Sequence, residues 1–162
     1  MKVSLSWLKD YVEVDATADQ LAHKLTMVGL EVEAVEDRFA YLDRVVVARI
    51  TRVTPHPGAD KLTLCRVDDG AASHTVVCGA PNAAEGLHVP LALPGSVLPD
   101  GLEIAVSTIR GQVSHGMLCS AGELGLELDR SGLMVLDQGL KPVSLFTSYI
   151  SSSPMAPVFE GK

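Results

Sequence analysis

The spacing of apolar positions changes near residue 40. Over residues 1–38 it is helical. Trp7, Leu8, Tyr11 and Val12 form a short stripe behind Ser4 or Ser6, either of which can cap a helix. Leu21, Leu25 and Val28 form a second stripe, introduced by Thr17-Ala18-Asp19-Gln20, with a hydroxyl at the cap and an amide three residues on. Gly29 is placed to end that helix. "LEVEAVE" (30–36) then alternates apolar and acidic residues, which predicts a half-exposed strand.

From residue 44 the segments are short and rich in β-branched and aliphatic residues: "RVVVARITRV" (44–53), "KLTLCRVD" (61–68), "SHTVVCG" (73–79), "LHVPLAL" (87–93), "LEIAVSTI" (102–109) and "GLMVL" (132–136). Turn signals separate them, among them "HPGAD", "DDGA", "GAPN" and "RGQVSHG". Pro90 predicts an edge strand or a bulge, since it cannot donate to a ladder. About five to six strands in roughly 100 residues is the size of an OB-type barrel. The expected fold is therefore mainly β: an OB-fold five-stranded barrel preceded by a short helical α+β N-terminal segment. From residue 138 the chain is Ser/Pro-rich without a clear period and reads as loosely held. The expected organisation is a helical segment over 1–38, a barrel over 39–150, and a tail or the truncated start of a next segment over 151–162.

Composition narrows the chemistry. The 162 residues are 47% hydrophobic but only 4% aromatic, so the core must be built of Val, Leu, Ala and Ile. The net charge of −7 argues against a general nucleic-acid or anionic-membrane binder. Charge is uneven, however. Residues 44–66 carry Arg44, Arg49, Arg52, Lys61 and Arg66 against Asp60 alone. No run approaches the ~18 apolar residues of a membrane span. Cys65, Cys78 and Cys119 are odd in number and contain no C-x-x-C, as expected of reduced thiols in a cytoplasmic protein.

Catalytic and metal readings find little support. His115 and Cys119 are one short-spaced pair where a structural zinc needs two, so no metal site is expected. Cys119 with His115 lacks a marked third group for a hydrolase. "GAPNAAEG" (79–86) matches neither a P-loop nor a dinucleotide fingerprint. Nucleic acid remains. Arg49 and Arg52 are three apart and share a face only if a bulge intervenes. Lys61 follows a turn, and Arg110 begins the loop "RGQVSHGM" (110–117), which carries Ser114. Arg49, Arg52, Lys61, Arg66, Arg110 and Ser114 are the expected contacts. With so few aromatics they would hold RNA backbone rather than read bases.

"SLSWLKDYV" (4–12), "LAHKLTMVGLEVE" (21–33), "HPGADKLTLCRVD" (56–68), "VVCGAPN" (76–82) and "SHGMLCSAGELGL" (114–126) together resemble the N-terminal part of the β subunit of bacterial phenylalanine–tRNA ligase. The resemblance covers about residues 1–137 and includes that subunit's tRNA-binding, EMAP-like OB module. It implies a non-catalytic fragment with an accessory tRNA-backbone contact and a role in subunit architecture. The implied partners are tRNA, a catalytic α subunit and the remainder of β, in an α2β2 assembly. ATP and magnesium would belong to the whole ligase, with no cofactor in this fragment. In stand-alone relatives the loop matching Ser114, Gly116 and Met117 lies at the RNA surface, which adds Met117 to the expected contacts. The alternatives are a purely structural scaffold of the ligase and a free-standing tRNA-binding OB protein.

Overall fold

Capping chemistry sets the two helices of the N-terminal part. The computed structural model describes residues 3–36, 39–139, 146, 147 and 150. The chain divides into two compact units, a small one holding residues 3–36 and a larger one spanning 39–150. In the small unit, α1 (Leu5–Lys9) starts at Ser4, whose Oγ accepts from the Trp7 N–H at 3.5 Å. Helix α2 (Ala18–Met27) opens on a reciprocal pair: the Gln20 N–H donates to Thr17 Oγ1 at 3.3 Å, and the Thr17 N–H donates to Gln20 Oε1 at 3.1 Å. Gly29, at φ +93°, ends it. The Gly29 N–H donates to the Thr26 carbonyl and the Leu30 N–H to that of Leu25, which satisfies two of the carbonyls the helix end leaves over.

Residues 30–36 do not form the expected strand. Alternation alone does not make a strand without a ladder partner, and the described residues of this unit offer none. Instead the Val32 N–H donates to Thr26 Oγ1 at 3.4 Å, tying the segment back to α2.

In the larger unit a 3₁₀ turn (Ala40–Leu42) leads into β1 (Val45–His56). It is followed by β2 (Ala59–Asp68), β3 (Ser73–Cys78), β4 (His88–Ala92), β5 (Val106–Ile109), β6 (Gln112–His115) and β7 (Met117–Leu118). The main sheet is antiparallel in the order β3-β2-β1-β4-β7, and β5 and β6 pair as a separate hairpin. Strands β6 and β7 are one run bent at Gly116. Strand β6 lies beside β3 while β7 pairs with β4, so this run joins the two ends of the sheet into an OB-like barrel. The fold is mainly β, as the sequence predicts.

The core has two parts. Ala48, Ile50, Cys65, Val67, Val76 and Leu91 fill the barrel interior. A second cluster, including Leu42, Val45, Val47, Leu98, Leu124 and Phe146, covers the other side of the first half of β1. Phe146 and Ile150 are both buried in it, so the expectation of a loosely held chain from residue 138 fails at these two positions.

The strand expected over 102–109 shrinks to Val106–Ile109, and the one over 132–136 to a single bridge between His88 and Leu136. The Pro90 strand is not an edge, because β4 pairs with β1 on one side and β7 on the other. The proline is tolerated for a local reason. Its carbonyl accepts from the Cys119 N–H at 3.1 Å, on the edge facing β7. The nitrogen of an extended residue points to the same edge, so no bond to β1 is lost.

The β2–β3 turn is held by Asp69, whose Oδ1 accepts from the Ala71 and Ala72 N–H groups and whose Oδ2 bonds His74 Nε2 at 2.8 Å. Burial is the largest influence on this carboxyl and pushes its pKa up. The hydrogen bonds from Ala72, His74 and Ala71 together outweigh burial and leave it below its usual value. A depressed folded pKa gives stability that is present above the unfolded value of about 3.9 and is lost as pH falls through the folded one. Urea unfolding between pH 6 and 2 is expected to show Asp69→Asn losing less stability on acidification than the wild type. Equal losses would remove Asp69 from the acid response.

Candidate nucleic-acid interface

The barrel brings Arg49, Arg52 and Arg66 together through one irregularity in β1. In the β1–β2 ladder Arg49 faces Asp68 and Ile50 faces Val67, but the next pair is Arg52 with Arg66. Thr51 is the extra residue of a bulge. The strand therefore resumes one residue out of phase, and Ile50 and Val53 both pack toward the barrel core although three residues apart. By the same shift Arg49 and Arg52 share the outer face. Their partners Asp68 and Arg66 are two apart on β2, which places Arg66 on that face as well.

All three arginines are exposed. Residues preceding them on the same face, Val45 and Val47, are buried under the second apolar cluster. The outer face of β1 thus turns from covered and apolar to open and basic at Arg49. Asp68, opposite Arg49 in the ladder, bonds its own turn instead: its Oδ1 accepts from the Gly70 N–H at 2.8 Å. Among the described residues none of Arg49, Arg52 and Arg66 is in an ion pair. Residues 45–78 contain no Phe, Trp or Tyr, so this surface offers charge without rings to stack bases.

Lys61 and Arg110 form a second basic group. Lys61 lies at the end of the β1–β2 hairpin, where the register between Pro55 and His56 slips and Asp60–Leu62 are left out of the ladder. Arg110 is not in an open loop as the sequence suggests. With Gly111 it makes the two-residue turn between β5 and β6, at φ +48° and +83°, as the twist of a tight hairpin requires. Buried His56 locks the two hairpins together. Its Nδ1 accepts from the Gly58 N–H at 3.0 Å, so Nε2 carries the proton and donates to the Ile109 carbonyl at 3.1 Å. Lys61 and Arg110 are thereby held at the same end of the barrel, beyond the arginine face.

Two expected contacts lie elsewhere. Ser114 is buried at 2% exposure; its hydroxyl donates to the Gly116 carbonyl and accepts from the Val77 N–H, both at 3.0 Å. It fastens β6 to β3 and has no hydrogen to offer a ligand. Met117 packs against the second core cluster. Both follow from the fold: "SHGM" is the corner of the barrel, not a loop standing clear of it.

Cys119 is fully buried. Burial, with a smaller effect from the Glu123 carboxylate, pushes its thiol up to about 12, which keeps it protonated and unreactive near neutrality. Among the described residues no group of three His, Cys, Asp or Glu side chains could hold a metal ion. None of their helices is long and apolar enough to cross a membrane.

Comparison with known proteins agrees with a nucleic-acid reading. The tRNA_bind family model, described as "Putative tRNA binding domain", matches residues 45–144. The chain is similar to phenylalanine–tRNA ligase β subunits. That of Bordetella parapertussis is 53% identical over 143 residues, and that of Gloeobacter violaceus 48% over 147. These alignments cover 88% and 90% of this chain but only 18% and 19% of the relatives, so it spans about a fifth of their length. Among solved structures, a MetRS related protein from Pyrococcus horikoshii aligns with 70% of this chain and 97% of its own at 16% identity and TM-score 0.48. The C-terminal domain of Plasmodium vivax p43 aligns with 48% of this chain and 46% of its own at 22% identity and TM-score 0.37.

Proposed function

Because this chain belongs to the tRNA_bind family of tRNA binding domains, we propose that its barrel holds the backbone of tRNA on the face carrying Arg49, Arg52 and Arg66, as an accessory contact within a phenylalanine–tRNA ligase β subunit. The observation that carries this reading is the bulge at Thr51, which collects three exposed arginines on one face of an acidic protein. Three guanidiniums without neighbouring rings suit phosphates, which every tRNA presents, better than bases. Lys61 and Arg110 extend the contact toward the hairpin end.

In this reading the chain contributes recognition and architecture, not chemistry. The partners are a catalytic α subunit and the rest of β, in an α2β2 ligase working in the cytoplasm. ATP and magnesium serve the reaction outside this segment.

A titration of bulk tRNA at low and at physiological salt tests the proposal. Affinity should fall with log salt by about 0.7–0.9 per phosphate contacted. Absence of binding even at low salt would favour a second reading, a scaffold that packs only against other parts of the ligase. The burial of Ser114, the packing of half-buried Met117 against the core and the net charge of −7 speak for that alternative.

A further inference from the structure

We infer that Glu85 is a positioning residue for the arginine face: its carboxylate holds the bulge that turns Arg49 and Arg52 to one side. The inference rests on the tRNA reading above and deepens it.

The argument is one of strand edges. In a regular strand, residues two apart present their N–H and C=O groups to the same edge. On the edge of β1 away from β2, Ile50 donates to the Leu87 carbonyl at 2.8 Å and its own carbonyl accepts from the Gly86 N–H at 2.7 Å. In an unbroken strand residue 52 would be next to use that edge. Here Val53 does, and its N–H donates to Glu85 Oε1 at 3.1 Å. That bond can form only in the bulged phase. Strand β4 cannot supply it, because its first residue, His88, already pairs with Arg49. On the opposite edge Thr51 Oγ1 donates to the Arg66 carbonyl at 3.0 Å, so the bulge is gripped from both sides. Glu85 is exposed, and among the described residues it makes no ion pair with a cation of the face.

Charge alone and geometry now predict opposite results. A carboxylate close to a phosphate-binding face repels RNA, so its removal should tighten binding. If Glu85 fixes the bulge, its removal should weaken binding, because one arginine leaves the face.

The experiment titrates bulk tRNA against the wild type, Glu85→Gln and Glu85→Ala at several salt concentrations. Glu85→Gln keeps an acceptor oxygen and should bind like the wild type or more tightly. Glu85→Ala should bind about fivefold more weakly near 0.1 M salt, with a salt slope smaller by about 0.7–0.9, the worth of one contact. Unchanged or tighter binding by Glu85→Ala at the wild-type slope would overturn the inference, as would a Glu85→Gln protein that fails alongside it. Amide exchange in the wild type tests the lock without any variant: the Val53 N–H should be protected, and free exchange there would overturn the lock. A wild type that retains no tRNA would overturn the functional reading and this positioning role together, whereas protection at Val53 would show the lock itself to be intact.

Discussion

Replacing Arg49, Arg52 and Arg66 together by alanine is expected to lower tRNA affinity about a hundredfold or more near 0.1 M salt, with the salt slope reduced by about two to three. The size follows from counting contacts. Each phosphate neutralised releases most of one counterion, so three lost contacts multiply. The loss should be uniform across tRNA species, since the face carries guanidiniums and no rings to select bases. Stability should hardly change, because all three side chains are exposed and among the described residues none is ion-paired. A loss confined to one tRNA would contradict backbone contact. An unchanged slope would assign the arginines no phosphates.

The second large effect is on folding. Gly116→Ala is expected to destabilise the barrel by about 2–4 kcal/mol, lowering Tm by roughly 10–20 °C in thermal unfolding followed by circular dichroism. Gly116 has φ +103°, and a Cβ there would stand 2.5 Å from the Ala92 carbonyl oxygen. That atom belongs to β4, which cannot retreat without breaking its pairing with β7 at the same residue. Gly111 separates the two causes. It also has a positive φ, +83°, but nothing lies within 4 Å of its would-be Cβ. Gly111→Ala should therefore cost only the backbone strain, about 1 kcal/mol. Similar losses at both sites would mean that the close approach at Gly116 contributes nothing.

What could be read from the sequence was local in origin. Thr17 and Gln20 carry their capping chemistry in their own side chains, and Gly29 its left-handed backbone, so α2 was legible from end to end. The barrel strands announced themselves through β-branched residues between turns. Spacing alone leaves open whether Arg49 and Arg52 share a face, yet the sequence carries a signal for it. The inward residues Ala48, Ile50 and Val53 step by two and then by three, and that skip marks the bulge. "LEVEAVE" failed for the converse reason: alternation describes one strand, while a ladder needs two. Ser114 misled because a hydroxyl in a polar turn looks the same whether it meets solvent or a neighbouring strand. Only the closure of β6 onto β3 decides that, and closure depends on residues nearly forty positions away.

The Ser114 bond has a consequence for how copies of this protein behave in a crowded solution. Strand β3 ends the main sheet, and a terminal strand offers its free N–H groups to any passing chain in need of a partner. The Val77 N–H is one of these donors, and the Ser114 hydroxyl occupies it from within the same molecule. The run that closes the barrel thus also screens the margin most exposed to edge-to-edge association. Loosening the corner at Gly116 would unmask it, and self-association would then compete with refolding.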